Sequence, residues 1–167
     1  MTLLIPLVLV TLLVRVGAWF LTTRGVDRAR PWSSWPAAAG AGVAAVLLFA
    51  SVTHFVEPQR SGLIAIVPDF VPAPDLVVPA TGVIEIVIAG GLLVPRTRRW
   101  VAVAAIVLLI AMFPANIVAA AGVDNPAAPS TPLVPRTIAQ LVFVAGAVVA
   151  AVPVRSTPAR RVATTAA

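Results

Sequence analysis

Five apolar runs, at roughly 2–22, 37–56, 76–95, 100–121 and 137–154, take up most of this 167-residue chain. Each is close to the ~20 residues that cross ~30 Å of hydrocarbon at 1.5 Å per residue. In hydrocarbon the backbone must satisfy its own donors and acceptors, so runs of this length are expected to be helices. Composition points the same way: 60% of residues are hydrophobic and 11% charged, against about half and about a quarter in soluble domains. The expected class is therefore all-α, a polytopic membrane helical bundle in one domain.

Net charge is +6, and all twelve basic residues are arginines. They gather at the ends of the apolar runs, where anionic headgroups and topology place them, so a nucleic-acid partner is not expected. Arg24, Arg28, Arg30, Arg96, Arg98, Arg99, Arg155, Arg160 and Arg161 fall on one side. The other side has only Arg60 and Arg136, beside Glu57, Asp69, Asp75 and Asp124. Basic loops stay cytoplasmic, which puts the C-terminus inside and the 57–75 and 122–136 loops outside, with the N-terminus outside if the first run spans. Trp19, Trp32, Trp35 and Trp100 lie near the inner interface, as an aromatic belt would. Arg15 interrupts the first run but can snorkel toward inner headgroups. The opening has no basic residue and no small-residue cleavage site, which points away from a removable signal peptide.

Runs two and five are rich in small residues at four-residue spacing: Ala37, Ala41 and Ala45, then Gly146 with Ala150 and Ala147 with Ala151, and Gly42 besides. Close helix packing and plain alanine-rich composition both account for them. The chain divides into 1–36 (an N-terminal span and basic loop), 37–154 (a four-helix core) and 155–167 (a basic, disordered tail).

Glu85 is the lone acid in the run from Leu76 to Pro95. A carboxylate there costs several kcal/mol unless protonated, paired or facing water, which marks it as a candidate functional group. On the arginine-derived topology Glu85 lies ~13 Å below the outer surface. Asn116 near the outer end of run four, His54 at the outer end of run two, and Arg136 with Gln140 opening run five converge on the same half of the bundle. Thr81 and Glu85 share a helix face by four-residue spacing, as do Arg136 and Gln140. Pro114 removes the bond to Ile110 and should kink run four, turning Asn116 and a freed carbonyl inward. Asn116 and Gln140 also fit simple interhelical hydrogen bonds. Arg136 fits a headgroup charge or a counter-ion for Glu85.

The outer stretch 57–75, EPQRSGLIAIVPDFVPAPD, has a middle too short to span and too apolar for water. It reads as a lid over the outer cavity or as an interfacial helix on lipid. There is no cysteine and one histidine. This excludes CxxC redox chemistry, thiolate-held clusters, Cys/His zinc sites and a bis-histidine haem, and no metal or covalently bound cofactor is expected.

THFVEP at 53–58, IVPDFVP at 66–72, TGVIEI at 81–86, LLVPRTRR at 92–99 and FPANI at 113–117, with Arg136 and Gln140 opening the last span, resemble the DoxX-like membrane proteins. The resemblance covers roughly 45–150. It implies a four-helix core in the inner (plasma) membrane, here with an extra N-terminal span, and maps family positions onto His54, Pro58, Glu85, Pro114, Asn116 and Gln140. It also implies association with thiosulfate–quinone oxidoreduction or membrane oxidoreductase complexes. The expectations are then a quinone-binding or accessory subunit with an oxidoreductase partner, a non-enzymatic binder or carrier of a small hydrophobic molecule or lipid, or a structural membrane partner. Candidate ligand-binding residues are His54, Thr81, Glu85, Asn116, Arg136 and Gln140. No catalytic residue is identified.

Overall fold

The structure, a computed structural model, describes residues 3–154. The basic tail, with Arg155, Arg160 and Arg161, lies outside the described residues. Those described form helices and no strand: α1 (Leu4–Thr23), α2 (Trp35–Val52), α3 (Gln59–Ala65), α4 (Pro74–Leu93), α5 (Arg98–Ala111), α6 (Phe113–Ala121) and α7 (Leu133–Ala151). A 3-10 segment, Asp27–Trp32, joins α1 to α2. Five stretches are long and apolar enough to cross a membrane: α1, α2, α4, α5 with α6 taken together, and α7. The all-helical bundle expected from the apolar runs is the fold the chain adopts.

Helix ends differ from the apolar runs where local hydrogen bonds decide. α2 begins at Trp35, because the Ser34 hydroxyl accepts the Ala37 N–H at 3.3 Å and Pro36 suits a first turn. It stops at Val52 rather than 56, as the N–H groups of Thr53 and His54 turn back to the carbonyls of Ala50 and Ser51. His54 therefore sits in a turn rather than on a helix. α7 starts at Leu133, four residues before its apolar run, since Pro135 falls in the first turn where its missing N–H costs no helix bond. Run four breaks at Met112 into α5 and α6, with Pro114 in the first turn of α6.

α2 is the centre of the bundle and packs against α1, α4 and α7, while α5 packs against α4 and α7. Ala37, Ala41 and Gly42 of α2 are buried, as are Ala147 and Ala150 of α7; Ala45, Gly146 and Ala151 are half-buried. Small residues on α2 let its neighbours approach closely. At Gly42 a Cβ would lie 2.1 Å from Thr11 Oγ1 and 2.7 Å from the Leu7 carbonyl oxygen, so α1 rests directly on the α2 backbone. The core between α2, α4, α5 and α7 is built on Val43, Leu47, Ile88, Leu92 and Phe143. Most other large apolar side chains point outward, as a lipid-facing surface requires.

Arg98 is not a headgroup charge, as its place in the basic link suggested. It is 5% exposed, its Nε donates to the Leu92 carbonyl at 3.1 Å, and its guanidinium lies 5.4 Å from the Trp32 ring centre. Thr97 donates to the Gly91 carbonyl at 2.8 Å. The VPRTRR link thus folds back to satisfy carbonyls at the end of α4, where a cation also suits the helix dipole. Arg15 lies 5.3 Å from the Trp35 ring centre at the same, arginine-rich end.

Candidate functional site

At the opposite end α2 turns into His54 just where α4 passes it. His54 is 5% exposed and Glu85 is 2% exposed. The imidazole Nδ1 lies 2.7 Å from the Val78 carbonyl oxygen. A carbonyl only accepts, so Nδ1 carries hydrogen and the tautomer is assigned by this bond. The Thr81 hydroxyl, directed at the Val77 and Val78 carbonyls, stands 3.4 Å from the same nitrogen.

That leaves Nε2 facing Glu85 Oε2 at 3.5 Å. A neutral imidazole would accept there from a protonated carboxyl, and a charged one would donate to a carboxylate. The separation is longer than a normal hydrogen bond, and Oε2 is a buried oxygen with no hydrogen-bond partner in the structure.

Asn116, Arg136 and Gln140 form a second polar group on α6 and α7. Arg136 donates from Nε to the Thr131 carbonyl and from Nη2 to the Pro129 carbonyl, each at 2.6 Å, and from Nη1 to Asn116 Oδ1 at 3.2 Å. Asn116 Nδ2 approaches Gln140 Oε1 at 3.5 Å, and Gln140 Nε2 donates to the Leu109 carbonyl. Arg136 is therefore neither a counter-ion for Glu85 nor a free headgroup charge: it fastens the loop before α7 to α6. Pro135 has no N–H to offer the Thr131 carbonyl, which leaves that oxygen open to the guanidinium. The inward carbonyl taken by Gln140 is that of Leu109, one residue before the one Pro114 was expected to free.

Both polar groups line one cavity of about 480 Å³, with His54, Glu85, Asn116, Arg136 and Gln140 in its wall. Thr81 is the exception among the candidates; it stands behind the imidazole and helps orient it. The rest of the lining is mostly apolar, including Leu47, Leu109 and Phe143. Leu3 and Leu4 also reach the cavity, so the extra N-terminal span contributes to the site. Nothing distinguished these two leucines from their neighbours in the sequence.

The 57–75 stretch covers the cavity. Its short helix α3 and the residue after it place Leu63 and Ile66 in the lining, beside Pro129 and Thr131 of the later loop. The two loops are stitched together: Asn125 Nδ2 donates to the Ser61 carbonyl at 3.2 Å, and Gly62 packs on the backbone of Ala127. Arg60 donates to the Asp75 carbonyl at 3.4 Å, the oxygen that Pro79 cannot reach with an N–H inside α4. A Cβ at Gly62 would lie 2.3 Å from the Ala127 carbonyl oxygen. Gly62→Val should therefore cost about 1–3 kcal/mol by overpacking. Hydrogen exchange should speed up in 59–66 and 122–132 while the middle of α7 keeps its protection; uniform protection would show that the loops do not close on each other.

Among the described residues no group of three His, Asp or Glu side chains is placed to hold a metal ion. No curated protein and no solved structure matches this chain. A family model described as a domain of unknown function, DUF8561, matches residues 43–155, a stretch that takes in most of α2, all of α3 to α7 and every candidate site residue, while α1 lies outside it. Because that match covers more than half of the sequence, the chain belongs to the DUF8561 family.

Proposed function

We propose that the cavity binds a quinone head, and that the protein serves as a quinone-binding or accessory subunit of a membrane oxidoreductase system. The observation that carries this reading is Glu85 Oε2: a buried, unpartnered oxygen beside a tautomer-fixed imidazole in the wall of a cavity of about 480 Å³. That volume suits a small cyclic molecule. A quinone carbonyl needs a donor and a quinol hydroxyl needs an acceptor, and a carboxyl serves as the first when protonated and as the second when ionised. Asn116 and Gln140 supply further polar contacts from the other helices. The resemblance to DoxX-like proteins favours a quinone over other small rings. Electrons come from a partner oxidoreductase or a bound cofactor, since with no cysteine and one histidine the chain holds neither a thiolate-held cluster nor a bis-histidine haem of its own. The arginine distribution supports an orientation with the cavity end outside and the C-terminus in the cytoplasm, and the DoxX-like resemblance supports the inner (plasma) membrane.

The largely apolar lining favours a second reading, a non-enzymatic binder or carrier of a small hydrophobic molecule or lipid. Extraction of the protein purified in mild detergent, followed by mass spectrometry, separates the two. A quinone retained by the wild type and reduced about tenfold in Glu85→Gln, equivalent to ~1.4 kcal/mol, supports the first. A non-redox lipid in its place supports the second, and nothing retained by either protein leaves a structural role in a membrane complex. Glu85 Oε2 has no hydrogen-bond partner to lose and an amide has nearly the shape of the carboxyl, so thermal stability of Glu85→Gln should stay within about 1 kcal/mol of wild type. A larger loss would mean that the carboxylate is held as an essential ion pair.

A further inference from the structure

A second cavity, of about 690 Å³, runs along the outside of the bundle between α1 and α2. Val10, Val14 and Gly17 form one wall, and Ala41, Ala44 and Ala45 the other. It follows α1 from Val10 to Leu21, a length of about 16 Å at helical rise. That matches one leaflet, half of a hydrocarbon core of about 30 Å. The 3-10 segment closes one end, where Trp32 and Arg28 enter the lining. Arg28 is the charged residue of that lining. Its neighbour Asp27 is engaged by Arg30 at 3.0 Å, and among the described residues Arg28 makes no ion pair. Arg24, Arg96 and Arg99 stand at the same end of the bundle.

We propose that this groove is a binding site for an anionic phospholipid of the leaflet at the arginine-rich end, with one acyl chain along the α1–α2 trough and the phosphate on Arg28. The trough is apolar, with small Ala41, Ala44 and Ala45 along its α2 side and Gly17 and Ala18 on α1, so a flexible run of methylenes fills it without needing a matching side chain. Charge decides against a second copy of the chain. Two parallel copies would bring Arg24, Arg28 and Arg30 together at one membrane level. The whole of the groove's α1 wall lies outside the family match at 43–155, and its lining shares no residue with the proposed quinone cavity.

The test uses the full chain reconstituted into nanodiscs with equal amounts of phosphatidylglycerol and phosphatidylcholine of identical tails, then measures lipid retained after detergent extraction by native mass spectrometry. Wild type should retain phosphatidylglycerol about fivefold over phosphatidylcholine, the ratio expected from one arginine worth ~1 kcal/mol near an anionic lipid. Arg28→Gln should bring the two lipids within about twofold. A Cβ at Gly17 meets nothing within 4 Å, so Gly17→Phe can enter the groove without disturbing the helix contact, and it should lower retention of both lipids at unchanged helicity. Equal retention of the two lipids by wild type, undiminished phosphatidylglycerol in Gly17→Phe, or a dimer cross-linked through cysteines at Leu13 that excludes lipid would each overturn the proposal.

Discussion

Arg136→Leu should destabilise the protein by about 3 kcal/mol and release the loop before α7. Its guanidinium ties together the Pro129 and Thr131 carbonyls and the Asn116 side chain. A hydrogen bond from a charged donor contributes about 1.5–3 kcal/mol, and removing the donor leaves its acceptors unmatched. Arg136 is only half-buried, so water recovers part of the loss and the sum of three such bonds is not reached. Thermal unfolding in detergent gives the magnitude, and hydrogen exchange over 122–132 gives the location. Arg136→Lys should fall between wild type and leucine, because one ammonium cannot serve a forked set of acceptors. With the anchor gone, Asn116 loses the group that fixes its carbonyl oxygen, and any ligand retained by the cavity should be lost as well. Unchanged stability in Arg136→Leu would mean that the loop is held by its apolar contacts alone.

The second large effect belongs to Gly42. Gly42→Leu should detach α1 from α2 without unfolding the four remaining spans. The first added carbon already collides with Thr11 Oγ1 and the Leu7 carbonyl oxygen, and a backbone atom cannot rotate aside. Overpacking of this kind costs about 1–3 kcal/mol, occasionally more. α1 buries only Leu7 and Ala18, and so has little with which to resist. The chain has no cysteine, so a disulfide between single cysteines placed on α1 and α2 reports the contact against a clean background. Cross-linking should drop sharply in Gly42→Leu and recover in part when Thr11→Ala removes the nearer obstacle. The cavity should also open, since Leu3 and Leu4 leave its wall. Undiminished cross-linking would show that α1 tolerates a wider separation than the glycine implies.

The convergence of His54, Glu85, Asn116, Arg136 and Gln140 was legible because membrane topology is strict. Once five spans alternate in direction, depth along each helix follows from its rise, and residues of equal depth share one end of a narrow bundle. Thr81 was legible as sharing a face with Glu85, though its place behind the imidazole was not. Pairing within the cluster escaped the sequence because it depends on helix rotation and on loop carbonyls. Charge alone suggested Arg136 for Glu85. The guanidinium instead turns to the loop carbonyls within its reach, and Glu85 faces an imidazole brought in by the turn after α2. Arg98 misled for a similar reason: in a basic link it reads as a surface charge, yet the link is short enough to fold it back onto the end of α4.

By itself the sequence determined that the chain is a helical bundle of five membrane-length segments, because uninterrupted apolar runs of that length have few other ways to satisfy their backbone. It also determined which end gathers the polar side chains. Only the tertiary structure decided which helix lies at the centre, how the loops close the cavity, and which atom of each polar residue meets which partner. Those outcomes rest on contacts of a few ångströms between distant parts of the chain, and apolar periodicity carries no record of them.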